Sequence, residues 1–268
     1  MDESKLEENI PKKLIDDDLL FHFTKPYVAM ENILHKQQIR FSSLGNMGDP
    51  YEYKIISAGV SAWGGLSQEV ASEAMAILRN TILYKSKILS LVRGKEKHIK
   101  DNFRLVFAKP RLWAQYAEAQ YGVCLIFSLN AFLEKIKSAY PELCVYHDYV
   151  EYDLSKGSGS SKAHLRTYET SRSIEENIRT HIEVKQKDIF FRKYKDFEDE
   201  NEYRIVLIDW KDNNHNDIHI DMQGIIKGVI LGERFHDGYE DLMKKLVSNL
   251  DADLYRIFYA ADVVLKKY

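Results

Sequence analysis

Six polar residues lie in strand-like or turn-like runs of the sequence, where packing alone does not require them. They are His22, Ser42, Ser43, Asp49, Glu200 and Glu202. A carboxylate can stabilise a developing positive charge, and imidazole or hydroxyl groups can hydrogen-bond the hydroxyls of a ligand. Because these residues come from both ends of the chain, any site they form must be assembled by folding. We predict that one pocket collects His22, Thr24, Ser42 and Glu202.

Glu200 and Glu202 are the candidate catalytic residues. They are two positions apart, so in an extended strand both carboxylates face the same side. Two adjacent carboxylates also raise one another's tendency to hold a proton. Arg204 lies two positions beyond Glu202, however. An ion pair between Glu202 and Arg204 on one face of a solvated strand is a sufficient alternative explanation for these two residues.

The candidate ligand-binding residues come from the N-terminal part of the chain. They are His22, Thr24, Ser42, Ser43 and Asp49. His22 and Thr24 share one face of a strand by the same period of two. His22 also lies between two phenylalanines, so a hydrogen-bonded core histidine is an equally good interpretation. The two serines can equally satisfy backbone groups at a strand end.

The elements that must position these residues alternate between short strands and helices. Apolar runs predict strands at 19–24, 39–42, 103–108, 123–127 and 143–152, with further strands in EYRIVLI, DIHIDM, GVILG and RIFYA. Helical spacing predicts a short helix after Pro26 and a long helix or helix pair over 67–92. Further helices are predicted from Pro110, over 164–187 and after His236.

This order of elements predicts an α+β fold rather than regular βαβ winding. We expect an N-terminal tail over residues 1–18 and a single α+β domain over residues 19–268. Its central sheet is expected to be mixed or antiparallel, split or bent, with helical insertions. The length of 268 residues and the 45% hydrophobic content suit one large core.

Composition excludes several classes of protein. The formal net charge of −3 offers no general attraction for a polyanion. No apolar run is long enough to span a bilayer, and both cysteines lie in strand-like runs, so we expect a cytoplasmic protein with reduced thiols and no membrane partner. No zinc-ligand spacing, phosphate loop or nucleophile elbow is present, and no metal is expected. A magnesium-dependent nuclease is a further hypothesis, based on Asp49, Glu52 and Lys54. The aspartate lies on a loop, however, and not on a preceding strand as in such nucleases.

Four segments, in this order, resemble the bacterial family known as domain of unknown function 2971. They are FHFTKPYVAMENILHKQQIRFSSLGNMGDPYEY, LWAQYAEAQYGVCLIFSL, FFRKYKDFEDENEYRIVL and IIKGVILGERF. The most diagnostic pieces are WAQY followed by GVC, and Glu200-x-Glu202-x-Arg204. The chain departs from the family pattern at Gly48, where the loop usually carries asparagine. The opening His-x-Thr strand is also similar to the start of DarT-type DNA ADP-ribosyltransferases.

The second resemblance implies an ADP-ribosyltransferase-like fold and an enzyme that uses NAD as a substrate, in bacterial phage defence or toxin systems. In such enzymes a glutamate on a late strand stabilises the positive charge that develops on the ribose. The acceptor, protein or nucleic acid, is left open. The alternative is a non-catalytic module that senses a nucleotide or binds a protein partner. NAD binding with cleavage, as opposed to binding alone, separates the two hypotheses.

Overall fold

The computed structural model describes residues 10–14, 18–47, 67–94, 105–153, 168–211, 216–260 and 263–268. Asp49, the Glu52–Lys54 motif and Gly48 lie outside the described residues. Within them the chain forms an α+β fold around one large mixed sheet. This confirms the predicted fold class.

The strands are numbered in chain order. They are β1 (Leu19–Thr24), β2 (Gln38–Ser43), β3 (Ser86–Arg93), β4 (Val123–Ser128), β5 (Cys144–Tyr149), β6 (Glu151–Asp153), β7 (Arg192–Tyr194), β8 (Glu202–Ile208), β9 (Ile218–Asp221), β10 (Ile226–Leu231), β11 (Asp253–Tyr259) and β12 (Val263–Lys267). The main sheet has the order β12-β11-β10-β4-β1-β3-β2-β9, with β8 paired to β3 and β5 paired to β8. Its pairs are antiparallel except β10 with β11, and β6 and β7 form a separate parallel pair.

Five α-helices are described, and three of them begin at a serine cap. They are α1 (Gln68–Asn80), α2 (Pro110–Tyr116), α3 (Leu129–Ala139), α4 (Ile174–Phe190) and α5 (Glu240–Ser248). Ser67 and Ser128 cap α1 and α3, and Ser173 forms a capping box with Glu176 at the start of α4. Two π-helical turns, Val28–Leu34 and Thr81–Lys85, and several 3₁₀ turns complete the helical parts.

Two predicted elements are wrong. The predicted helix over 67–92 ends at Lys85, and Ser86–Arg93 is strand β3. β3 is buried along most of its length because it pairs with β8, β1 and β2, and burial on both faces removes the alternation that marks a strand. Val106–Ala108, predicted as part of a strand, is a 3₁₀ turn that packs under the sheet.

The two faces of the sheet are covered differently. One face carries a single hydrophobic cluster with the π-helical turn Val28–Leu34, α3 and α5. The other face carries two separate clusters, one under residues 105–113 and one under α1 and α4. Ile10 and Leu14, which we placed in the N-terminal tail, are buried in the first of these two. The divided core leaves room on this face for a polar site.

The sheet forks where β1 and β2 share one edge of β3. β1 pairs with β3 only at Leu20 with Arg93 and Phe21 with Val92, and β2 pairs with it at Ser42 with Ile88 and Ser43 with Lys87. The β3 residues 89–91 lie between these two ladders. The expected split of the sheet is therefore present, and it opens beside β1.

Candidate functional site

A pocket of about 490 Å³ lies at this fork. Its lining residues come from β1, β3, α2 and the segment around β7 and β8, together with Met47 from the turn after β2. They are Phe21, His22, Phe23, Met47, Ser90, Leu91, Val92, Gln115, Tyr116, Lys193, Phe197, Glu200 and Glu202. The volume suits a small organic ligand, and a mostly apolar lining with a few polar groups is typical of ligand pockets.

Glu200 and Glu202 reach the pocket through a tight turn. Glu200 ends the 3₁₀ turn Lys195–Glu200, Asn201 takes a left-handed conformation with φ 48°, and β8 begins at Glu202. Asparagine is one of the few residues that adopt this conformation readily. Both carboxylates therefore line one pocket, and both residues are buried.

Glu202 forms a buried ion pair with Arg204. The Arg204 guanidinium donates to Glu202 from Nε at 2.6 Å and from Nη2 at 3.1 Å, and its Nη1 donates to the Phe190 carbonyl at 2.8 Å. Burial alone would raise the pKa of the Glu202 carboxyl, but Arg204 and then Lys193 hold it well below its usual range. The alternative ion-pair interpretation is thus right about the pairing and wrong about solvent, since Arg204 is only 1% exposed.

Glu200 is held by one cation and two neutral donors. Lys193 Nζ donates to Glu200 Oε2 at 2.8 Å, and the Tyr116 hydroxyl donates to Oε1 at 2.6 Å. Gln115 Nε2 lies 3.3 Å from the same Oε1. Burial, followed by the hydrogen bond to Glu200, raises the pKa of the Tyr116 hydroxyl, so that this hydroxyl stays protonated.

Lys193 links the two carboxylates. Its Nζ lies 2.8 Å from Glu200 Oε2 and 3.2 Å from Glu202 Oε2, and it sits 4.4 Å from the centre of the Phe197 ring. The positive charges of Lys193 and Arg204 balance the negative charges of the two carboxylates, so the four groups together carry no net formal charge. Sequence reasoning missed Lys193, Gln115 and Tyr116 as site residues. These residues lie in WAQY and FFRKYK, and nothing local in either segment marks them as partners of the carboxylates.

His22 reaches the pocket from β1. Its Nδ1 lies 3.1 Å from the Ser90 carbonyl oxygen, which can only accept, so Nδ1 carries the proton. Burial, partly offset by this hydrogen bond, lowers the pKa of the imidazole, which favours its neutral form. By strand alternation His22 belongs to the face opposite Phe21, Val92 and Glu202. It joins the pocket because β1 and β3 separate beyond Phe21.

Ser90 stands between the two halves of the fork. Its hydroxyl oxygen is buried and forms no hydrogen bond of normal geometry within the described residues. It nevertheless lies close enough to the Glu202 carboxylate to contribute to its lowered pKa. Ser90 thus places a polar group beside the carboxylates and a backbone carbonyl beside His22.

The remaining predicted residues lie elsewhere. Thr24 is buried opposite Val123, and Ser42 pairs with Ile88; neither lines the pocket, so the prediction that they converge there with His22 and Glu202 is wrong for these two. Ser43 accepts a hydrogen bond from the buried Lys87 at 2.8 Å, away from the pocket. Asp49, the fifth candidate ligand-binding residue, lies outside the described residues.

Trp113 fixes the helix that brings Gln115 and Tyr116 to the pocket. Its ring is fully buried, meets Phe23 edge-on at 5.2 Å and donates from Nε1 to the Phe107 carbonyl at 2.7 Å. Packing is therefore its role. The short helix α2 is thereby anchored against β1, with its last turn over the fork.

The comparisons with known proteins agree with one of the two resemblances. Residues 112–205 match the family described as protein of unknown function (DUF2971). The match includes Gln115, Tyr116, Lys193 and both glutamates, and it confirms the resemblance to this family. It does not confirm the similarity to DarT-type enzymes. No curated protein and no solved structure matches the chain.

Two further observations concern the part of the chain that the structure describes. Within the described ranges, no three or more histidine, cysteine, aspartate or glutamate side chains group in a way that could hold a metal ion. In the same part of the chain, no helix combines the length and apolar content needed to cross a membrane.

Proposed function

We propose that the pocket at the fork binds NAD or a related nucleotide, and that the chain is an ADP-ribosyltransferase-like enzyme. The observation that carries this proposal is the pair of buried carboxylates in the wall of a pocket whose remaining surface is largely aromatic and aliphatic. Phe21, Phe23 and Phe197 offer flat apolar surface for a ring, and Glu200 and Glu202 offer acceptors for hydroxyls.

The chemistry assigned to the carboxylates is stabilisation of positive charge. Breaking the bond between ribose C1′ and the nicotinamide nitrogen sends the bonding electron pair to nitrogen, which releases neutral nicotinamide and leaves positive charge on the ribose. An acceptor oxygen or water then attacks C1′ and loses its proton. A carboxylate fixed near the ribose stabilises this transition state more than the ground state.

The two glutamates are suited to different parts of this work. Glu202 accepts bonds from Arg204 and Lys193 on both oxygens, so its charge is largely balanced by fixed cations. Among the described residues, Glu200 Oε1 accepts only from Tyr116 and Gln115, which are neutral. We therefore assign the ligand contact to Glu200 and the positioning of Lys193 to Glu202.

A second candidate is a nucleotide-binding module without catalysis. It is favoured by the ion pairs, because Lys193 and Arg204 make the carboxylate cluster neutral and so weaken its attraction for a cation. In that case the pocket binds NAD or another nucleotide without cleaving it. A role in phage defence stays a prediction drawn from resemblance, and the acceptor remains open.

The test measures NAD binding by calorimetry and nicotinamide release by chromatography, for the wild type and Glu200→Gln. Glutamine keeps the shape and an acceptor but loses the charge, so release should fall about a hundredfold or more while affinity changes less than about tenfold. Glu198→Gln is the matched control, because Glu198 lies exposed on the same turn. Binding without release from the wild type supports the second candidate, and absence of NAD binding refutes the NAD-using enzyme.

A further inference from the structure

The Tyr116 hydroxyl lies where a ligand hydroxyl would be expected. Its oxygen is 2.6 Å from Glu200 Oε1, a short distance typical of a hydroxyl that donates to a carboxylate. Both side chains line the pocket. The acceptor and the donor differ in their exposure, however, since Glu200 is 3% exposed and Tyr116 is 37% exposed. The donor is therefore the partner that can move.

Glu200 stays paired when the tyrosine leaves. Lys193 Nζ remains 2.8 Å from its Oε2, and Gln115 Nε2 remains 3.3 Å from its Oε1. No uncompensated buried charge is created, which is the usual large cost of breaking a buried pair. A ligand hydroxyl cannot replace the donor at Glu202 in the same way, because that donor, Arg204, is buried and also bonded to the Phe190 carbonyl.

The chain around Tyr116 provides a fixed base for such a movement. α2 ends at Tyr116, and Glu118, Ala119 and Gln120 are all left-handed, with φ of 48°, 50° and 73°. Backbone hydrogen bonds from Gly232 to Gly122 and from Arg234 to Gln120 hold this turn against the end of β10. The tyrosine can therefore rotate at its side chain without movement of the backbone.

We propose that the Tyr116 hydroxyl is a placeholder on Glu200, displaced when a ligand bearing a ribose diol donates to the same carboxylate oxygen. Tyr116 then sets the affinity of the pocket for ribose, because each ligand must first break the tyrosine hydrogen bond. This inference rests on the proposed function for the assignment of Glu200 to the ligand, and it names the ligand group that the carboxylate recognises.

The test compares two ligands and two variants by calorimetry. Tyr116→Phe keeps the ring and removes the hydroxyl, so adenosine should bind about tenfold more tightly than to the wild type. Binding of 2′,3′-dideoxyadenosine, which lacks the diol, should not change. Tyr121→Phe is the matched control, because the Tyr121 hydroxyl accepts from Arg234 at 2.7 Å outside the pocket.

The outcomes separate this inference from the proposed function. Adenosine binding that is unchanged or weaker in Tyr116→Phe overturns the placeholder, even if the wild type cleaves NAD. Tighter adenosine binding in a protein that does not bind NAD supports the placeholder and refutes the proposed function. If neither adenosine nor NAD binds the wild type or Tyr116→Phe, both are overturned. Thermal melts of each variant confirm that it is folded.

Discussion

The buried pair of Glu202 and Arg204 leads to the most direct prediction about stability. In Glu202→Gln the amide keeps the shape of the side chain but removes the charge that compensates Arg204. The Arg204 guanidinium is 1% exposed, so water cannot replace the lost carboxylate. Its Nη1 still donates to the Phe190 carbonyl at 2.8 Å, but this neutral partner does not compensate the charge.

The size of the effect follows from this burial. Removing one partner of a buried ion pair costs about 3–5 kcal/mol, and the retained amide oxygen places this variant near the lower end, at about 3 kcal/mol. For a chain of this size 1 kcal/mol corresponds to roughly 2–4 °C, so the melting temperature should fall by roughly 6–12 °C. Glu198→Gln, an exposed change of the same kind, should leave it within about 1 °C.

A double-mutant cycle isolates the pair from other effects. Arg204→Met alone should also destabilise, because it removes the cation that bonds both oxygens of Glu202 and the donor to Phe190. Combining it with Glu202→Gln removes both charges, so the double variant should be at least about 2 kcal/mol more stable than the sum of the single losses predicts. Calorimetric melts at neutral pH give all three values.

The pH dependence supplies an independent check. The pKa of Glu202 is lower in the folded protein than its ordinary value of 4.5, so its contribution to stability is present above that pH and is lost as the pH falls below it. The stability difference between wild type and Glu202→Gln should therefore shrink below about pH 4.5. Strictly additive single variants, or a difference that grows in acid, would refute the reasoning.

Three further predictions concern the cluster and the turn beside it. Lys193→Met removes the cation between the two carboxylates, which should raise the pKa of one of them above its value in the unfolded chain. A raised pKa stabilises the folded protein at low pH, so thermal melts should show the stability of this variant, relative to the wild type, increasing from pH 8 toward pH 5. An unchanged pH profile would contradict this. Gly232→Ala places a Cβ 2.0 Å from the Gln120 carbonyl oxygen and should lower the melting temperature by several degrees, whereas Gly94→Ala, whose nearest neighbour is 3.7 Å away, should not. Ala119→Gly relieves a left-handed alanine and should raise the free energy of unfolding by about 0.5 kcal/mol in denaturant titrations; a loss would show that the turn carries no strain.

Local sequence was sufficient for the elements whose signals are carried by neighbouring residues. β1 is an apolar run and α2 begins at Pro110, and both depend on residues within a few positions. The helix predicted over 164–187 instead begins at Ile174, after the capping box of Ser173, which was missed. The same logic failed at β3. The apolar residues of β3 continue the helical spacing of α1, so the local pattern favoured a helix, whereas the strand depends on partners far away in the sequence.

The candidate site shows the same difference between what local sequence predicts and what long-range packing decides. The sequence by itself determined that Glu202 and Arg204 lie close together, because a spacing of two places them on one face of a strand. Glu200 reaches the same pocket through the left-handed turn at Asn201, which the strand period did not predict. Only the tertiary structure decided that Lys193 and Tyr116 complete the cluster and that His22 joins it while Thr24 does not. That result depends on where the ladder between β1 and β3 stops, and a register between distant strands is fixed by the packing of the whole sheet.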